Sequence, residues 1–307
     1  MNRLAGIIVA VIGLVIAILG IAKILPGLTS TGISLLLLGG LVIGLSFVAR
    51  PDPEGAPRMS TPSTIANIFF SPSEVFLNLR RHPRWLAALL IASIASAVYA
   101  TAFIYRLTPE RVANYAIDKT LEMSMLNDDA RKQIEAGRAN AIEQNKNPVI
   151  RAGQAVNSFV GTVFWTAFLA LVFVLFAMAM GGKMNYWQAF AAAAYAALPV
   201  KLILYGLSLI ILFLKDPAEI HPILGQSSLV QDNLNFLVTP SEHPVLYVLL
   251  GSVSLLWIYW VILNYLGLKN AGERVSSSIA ATAAITVWIV AIAFAVLIAT
   301  LFPSFFS

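Results

Sequence analysis

Lys201 is the side chain in this sequence that most needs a chemical explanation, because it lies inside a long apolar run, two residues after Pro199. At the middle of a membrane a lysine costs roughly 2.5–3.5 kcal/mol on insertion scales, so such a residue has either a partner or a function. Two interpretations stay open. Lys201 could extend to the surface or bind carbonyls freed by Pro199. Alternatively it lines a path for a substrate or a proton, with Asn264 as its polar partner.

The other residues able to do chemistry favour no enzyme. His82, His221 and His243 each precede a proline at the edge of an apolar run, where turn geometry accounts for them. None of them has the i, i+4 spacing of helical zinc ligands, although a weak metal site with the acids of the 215–243 loop stays open. The sequence has no cysteine, which excludes thiolate metal sites. Residues 181–183 lack the spacing of a phosphate-binding loop. We therefore predict no catalytic residue, no cofactor and no bound metal.

The composition indicates the elements that must position these residues. The chain has 307 residues, of which 59% are hydrophobic and 11% charged, and its mean hydropathy is +0.81. A soluble protein could not bury so much apolar surface, so we predict an all-α, polytopic membrane protein whose first partner is the lipid bilayer. The net charge is +5, but the basic residues are dispersed without interleaved aromatic residues, which argues against nucleic-acid binding.

Seven apolar segments are predicted to cross the membrane. A helix rises about 1.5 Å per residue, so about 20 residues span the roughly 30 Å hydrocarbon core. The predicted spans are residues 4–25, 32–48, 85–105, 158–180, 189–214, 244–266 and 279–301. The fifth segment is too long for one straight span, and we expect Pro199 to break it.

Small residues recur at helical spacing in three of these spans and predict faces that another helix approaches closely. The first two spans, in residues 1–50, are expected to form an antiparallel hairpin packed through its glycines. The small residues are Gly6, Gly13, Gly20, Gly40 and Gly44 in this hairpin, and Ala88, Ala92, Ser96 and Ala100 in the third span.

A proline-rich linker and a short amphipathic helix, here the lead-in helix, occupy residues 51–84. Ser71 and Glu74 have the spacing of a capping box around Pro72, and Phe70 and Val75 that of a hydrophobic staple. The apolar side chains of the helix, including Phe76, are expected to rest in the lipid headgroup layer. Its end and the start of the next span carry Arg80, Arg81, Pro83, Arg84 and Trp85.

The polar segment from residue 106 to 157 is predicted to form an extramembrane helical hairpin that rests on the bilayer or on a neighbouring subunit. A further short helix is expected around residues 228–237. The short loops favour a cytoplasmic position for the arginine-rich lead-in helix, which would place the N-terminus inside and the C-terminus outside.

Two motifs carry a resemblance to a known family. Phe69 to Phe76 followed by Pro83-Arg84-Trp85 resembles the motif that precedes the first helix in bacterial members of the Yip (Ypt/Rab-interacting) membrane-domain family. Tyr186 to Phe190 leading to Pro199 is similar to the start of that family's third helix. The resemblance covers about residues 65–301. It implies a five-helix domain over residues 85–302, in a bacterial cytoplasmic membrane, with the first two spans as an addition.

The resemblance implies a non-enzymatic scaffold or adaptor that binds other integral membrane proteins, in a larger complex or homo-oligomer, and that shapes the bilayer. The alternative is a transporter, or an accessory membrane subunit of an ABC-type exporter, with a polar site at Lys201 and Pro199. Inverted internal repeats would favour transport, and we find no convincing one.

Overall fold

The computed structural model describes residues 3–51, 57–123 and 125–306. The first part of the predicted linker, residues 52–56, therefore lies outside the described residues. The helices are α1 (Arg3–Ile21), α2 (Thr29–Leu45), α3 (Thr61–Phe70), α4 (Pro72–Arg81), α5 (Leu86–Leu107), α6 (Pro109–Leu121), α7 (Asp128–Lys146), α8 (Pro148–Ala179), α9 (Tyr186–Leu214), α10 (Gly225–Ser228), α11 (Pro244–Ser252), α12 (Leu255–Ala271) and α13 (Ser277–Leu301). Single 3-10 turns lie at Pro217–Glu219, Asn235–Leu237 and Pro303–Phe306.

The predicted all-α membrane fold is confirmed. Helices α1, α5, α8, α9 and α13 are each long and apolar enough to cross a bilayer. Helices α11 and α12 would make a sixth span as a pair, bent by 50° at the break between them. Helix α2 is apolar but only 17 residues long. The predicted seven spans are reached by counting both α2 and the bent pair.

Helix boundaries differ from the predictions at two places. Helix α8 begins at Pro148 rather than at residue 158, so the polar segment passes directly into a span. Helix α9 continues through Pro199, where we expected a break. The reason is packing: Pro199 follows a stretch of α9, from Ala189 to Ala196, whose side chains are all buried, and one missing backbone hydrogen bond does not release a helix held on all sides.

The break in this part of the chain lies instead between α11 and α12, inside the predicted sixth span. Asp232 holds it, because its carboxylate accepts hydrogen bonds from the Ser254 hydroxyl and from the Leu256 backbone N–H, the latter at 2.9 Å. The backbone carbonyl of Asp232 accepts a third bond from the Leu255 N–H at 3.1 Å. These contacts satisfy the free donors at the start of α12.

Helices α1 and α2 pack so closely that only glycine fits at the contact. A Cβ atom on Gly13 would lie 2.2 Å from the Leu36 nitrogen, and one on Gly32 would lie 2.2 Å from the Ala17 nitrogen. Gly6, Gly20 and Gly39 are similarly close to the opposite helix. By contrast, nothing lies within 4 Å of a Cβ placed on Gly40 or Gly44. The expectation that Gly40 and Gly44 pack within the hairpin is therefore wrong; Gly32 and Gly39 take that role.

The chain forms two compact units. Unit one contains Met1–Ser96, Asn157–Ile203 and Ile258–Trp288. Its core joins side chains of α4, α5, α8, α9 and α12, with Phe76, Trp187 and Leu198 among the fully buried ones.

Unit two contains Ala97–Val156, Leu204–Trp257 and Ile289–Ser307. Its smaller core is made of Tyr99, Phe103, Leu107, Leu212 and Ile220. Its α6 and α7 pack together, and Asn127 caps α7 by accepting the Ala130 N–H at 2.8 Å.

The two kinds of glycine in α2 predict opposite effects of one added methyl group. Gly32→Ala should lower the free energy of unfolding by about 1–3 kcal/mol, because the new Cβ meets backbone atoms that cannot move aside. Gly40→Ala, the matched control, should be neutral or stabilise the helix by up to about 1 kcal/mol. Thermal unfolding of the solubilised full-length protein measures both, and equal shifts would contradict the assigned packing.

Candidate functional site: the cleft beside α4

The apolar face of α4 is buried in protein. Val75, Phe76 and Leu79 are all 0% exposed and belong to the core of unit one. A Cβ on Gly267 of α12 would lie 3.3 Å from the Phe76 ring, so the absence of a side chain there makes room for it. This corrects the expectation that these apolar residues rest on lipid headgroups. Two large apolar side chains of α3 and α4 are exposed: Phe70, at 85% exposure, and Leu77, at 51%.

The predicted cap of α4 does not form. Ser71 is both the C-cap residue of α3 and the N-cap residue of α4, with φ −137° and ψ 58°. Its side chain makes no capping hydrogen bond to α4. Phe70 is exposed and Val75 is buried, so the expected hydrophobic staple is absent from this junction. The reason is that α3, which lies within the predicted linker region, is a full helix ending immediately before α4. Its own N-cap is Ser60, which accepts the Ser63 N–H at 3.2 Å.

Hydrogen bonds from side chains to main-chain carbonyls hold α4 against the α12–α13 loop and the first turn of α9. The Arg80 guanidinium donates to the backbone carbonyl of Glu273 at 2.7 Å, and the Gln188 amide donates to the backbone carbonyl of Arg80 at 2.9 Å. The α8–α9 and α12–α13 loops are joined to each other by a pair of backbone hydrogen bonds, both 3.1 Å, between Lys183 and Arg274. Three segments distant in sequence are thus fixed in one place.

Arg84 joins the end of α4 to the start of α3. Its guanidinium donates to the Met59 carbonyl, to the Thr64 hydroxyl at 3.2 Å and to the Thr61 hydroxyl at 3.4 Å. Burial lowers the pKa of the Arg84 guanidinium, and the positive charge of Arg58 lowers it further. A charged group with three acceptors inside protein is a structural tie rather than a free surface cation.

An aromatic cluster lies directly after this tie. Trp85 stacks on Trp187 with ring centroids 6.0 Å apart, and its ring lies 5.0 Å from that of Phe190. The Trp187 indole donates to the backbone carbonyl of Val48 at 3.0 Å, and the guanidinium of Arg50 lies 5.3 Å from the same ring. The segment that follows α2 is therefore fixed to the start of α9. Pro83 lies in the short connection between Arg81 and Leu86, as the sequence predicted.

Helix α4, the α8–α9 loop and the α12–α13 loop line an open cleft of about 970 Å³ in unit one. In the described part of the chain, its basic side chains are Arg80, Arg81, Lys183 and Arg274, and its acidic ones are Glu74 and Glu273. Lys183 and Glu273 form an ion pair at 2.7 Å. In the part of the chain that the structure describes, neither Arg81 nor Arg274 makes an ion pair, and both are exposed. The cleft can therefore attract an anion.

The three residues predicted to form a polar site inside the helices, Lys201, Asn264 and Pro199, are not joined to one another by a described hydrogen bond. Lys201 donates to the Thr162 hydroxyl at 3.1 Å. Asn264 is buried and donates to the Trp260 carbonyl at 2.8 Å. Among the described hydrogen bonds none joins Lys201 to Asn264. Pro199 lies inside the continuous α9.

His221, which the sequence left open as a metal ligand, is held by its own loop. Its Nδ1 accepts the Leu224 N–H at 2.9 Å and the Ile223 N–H at 3.2 Å. Its Nε2 lies 2.9 Å from the Tyr115 hydroxyl. Both ring nitrogens thus have protein partners, which agrees with the turn interpretation.

The small-residue face of α5 is only partly covered by protein. Ala88 and Ala92 are buried, whereas Ser96 and Ala100 are half-buried.

Sequence reasoning missed the residues that start α9. Asn185 accepts the Trp187 N–H at 2.8 Å, and Gln188 accepts the Asn185 N–H at 2.8 Å. This is a capping box, whose signal, Asn and Gln three residues apart before an apolar run, is present in the sequence.

Comparison with known proteins adds one finding. The family described as the Yip1 domain matches residues 66–298, which excludes α1 and α2 and includes α4 and both loops of the cleft. No curated protein and no solved structure matches the chain.

The ties of α4 predict different effects at two neighbouring arginines. Arg84→Gln should lower the free energy of unfolding by about 2 kcal/mol, because hydrogen bonds to a charged group are lost. It should also speed trypsin cleavage at Arg58, since α3 loses its attachment. The control Arg81→Gln removes the same charge from an exposed side chain and should change neither quantity. Similar losses in both variants would show that charge, and not the tie, stabilises this region.

Proposed function

Since the chain belongs to the Yip1 domain family, we propose that it is a non-enzymatic scaffold or adaptor that binds other integral membrane proteins within the bilayer. In this proposal the arginine-rich end of unit one faces the cytoplasm of a bacterial cell, and the N-terminus lies inside. Arg80 and Lys183 line one cleft, which supports a common side of the membrane for α4 and the α8–α9 loop. The outward Phe70 and Leu77 would contact lipid and contribute to shaping the bilayer.

The observation that carries the scaffold proposal is the second glycine pair of α2. Ile33, Leu37, Gly40 and Gly44 follow one another at helical spacing and are all exposed. The opposite side of α2 uses Gly32 and Gly39 against α1. Helix α2 therefore has one glycine pair that packs against α1 and a second glycine pair that no part of the described chain approaches.

A transmembrane helix of another protein suits this open face. In lipid, helices associate through close backbone contact rather than through hydrophobic burial, and Gly-xxx-Gly pairs permit that contact. Glycine is about 1 kcal/mol less favourable than alanine in a helix, and no internal contact of Gly40 or Gly44 offsets this. Large neighbours at Ile33 and Leu37 would flank the docked helix. We place Lys201, by contrast, in a structural role, because the Thr162 hydroxyl binds its ammonium group.

Enlarging the open glycines should abolish partner binding without unfolding the chain. The variant carrying Gly40→Leu and Gly44→Leu should weaken the native complex about tenfold or more, equivalent to about 1.4 kcal/mol. Complex size in mild detergent, together with photo-crosslinking from position 37, measures this. The matched control carries Gly161→Leu and Gly206→Leu, two outward glycines of α8 and α9 that also have open space. It should keep the complex.

The crosslinked product identifies the occupant. A crosslinked product that contains only this chain would make the partner a second copy. A product that contains a different chain would make the partner another membrane protein. An intact complex in the Gly40 and Gly44 variant would remove the basis of the scaffold proposal.

The structural role of Lys201 predicts effects of opposite sign on the two members of the pair. Thr162→Val should destabilise the protein by about 1–3 kcal/mol, because it leaves the ammonium group without its acceptor. Lys201→Leu should be neutral or stabilising, since the Thr162 hydroxyl still donates to the Ser158 carbonyl at 3.3 Å. The double variant should recover stability, and all should keep the complex. Loss of the complex in Lys201→Leu alone would favour a functional lysine.

A further inference from the structure

We propose that the cleft beside α4 binds the phosphate of an anionic phospholipid headgroup. The cleft holds about 970 Å³, which is enough for a headgroup together with water. It is lined by side chains of α4, by two loops that backbone hydrogen bonds fix to each other, and by Pro51, Pro57, Met59 and Gln188. The inference does not depend on the docking of a partner at α2.

The charges of the cleft favour an anion. Of the described residues that line it, four carry a basic side chain and two carry a carboxylate. Lys183 and Glu273 neutralise each other at 2.7 Å. Among the described lining residues this leaves three guanidinium groups, on Arg80, Arg81 and Arg274, and one carboxylate, on Glu74. Only the first of these guanidinium groups has a described hydrogen bond, to a neutral backbone carbonyl.

Guanidinium groups suit phosphate in particular. Their planar arrangement of N–H donors matches two phosphate oxygens at once, and such charge-assisted bonds are the strong ones. Polar side chains of Asn78 and Gln188 also line the cleft. Their amide groups already bond within the protein, so the guanidinium groups supply the contacts to the phosphate.

The position of the basic residues selects a lipid over a soluble anion. Arg81 is the last residue of α4 and lies five positions before the first residue of the spanning helix α5. Lys183 lies between α8 and α9, and Arg274 lies just before α13. Residues next to the ends of spans lie at the level of lipid phosphates. Leu77, half-exposed and lining the cleft, can contact the acyl chain of the same lipid.

Lipid titration of the full-length protein in mild detergent, followed by native mass spectrometry, tests the proposal. The probes are phosphatidylglycerol and, for comparison, phosphatidylcholine with the same acyl chains. Wild type should retain phosphatidylglycerol preferentially. The variant with Arg81→Gln and Arg274→Gln should bind it roughly 30-fold more weakly, since each basic residue near a membrane surface contributes about fivefold. Glu74→Gln should bind it about fivefold more tightly, because a repelling carboxylate is removed.

The control variant carries Lys132→Gln and Lys215→Gln, which removes two exposed basic residues outside the cleft. It should bind phosphatidylglycerol as wild type does. Gain of affinity in Glu74→Gln is a result that misfolding does not produce. Three results would overturn the proposal: unchanged binding in the Arg81 and Arg274 variant, an equal loss in the control variant, or displacement of the lipid by millimolar inorganic phosphate, which would make this a site for a soluble anion.

Discussion

Burial of the apolar face of α4 is the interaction on which unit one depends. This helix lies next to a polar cleft, so removing Val75, Phe76 and Leu79 from contact with water stabilises the fold by about 1.5–3 kcal/mol for each side chain. Helices inside lipid gain nothing comparable, and they depend on close contact instead. Gly267 and the alanine-rich part of α9 allow that contact with Phe76. The amphipathic helix α4 is thus part of the hydrophobic core of unit one.

Fixing one face of α4 determines what its other face can do. Once the apolar side is buried, Arg80 lies where its guanidinium reaches the Glu273 carbonyl and its own carbonyl receives the Gln188 amide. These bonds hold α4 to the loop between α12 and α13 and to the first turn of α9. The backbone segments that carry the charges of the cleft are consequently fixed relative to one another, which lowers the ordering cost of binding an anion there. A helix lying loosely on lipid would not provide this arrangement.

Much of this could be predicted from the sequence, and the errors about which surface covers a helix face share one cause. The bounds of α4, its apolar face and its arginine-rich end follow from helical spacing and from Pro83. Spacing identifies an apolar face, but it does not tell whether lipid or protein covers it. The same limit applies to the glycines of α2. Gly32 and Gly39 contact α1 while Gly40 and Gly44 do not, although both pairs have helical spacing. The capping box of α9 was present in the sequence and needed only local reasoning.

The two irregular points of the apolar helices show why tertiary partners matter more than helix-breaking residues. Pro199 leaves α9 continuous, whereas the chain bends by 50° between α11 and α12, where no proline lies at the break. A bend exposes backbone donors, and it persists only where acceptors are supplied. Asp232 supplies them to Leu255 and Leu256 from outside both helices. Thr162 serves Lys201 in the same way. The break before α12 and the ammonium group of Lys201 are therefore both explained by residues distant in sequence, which local patterns do not identify.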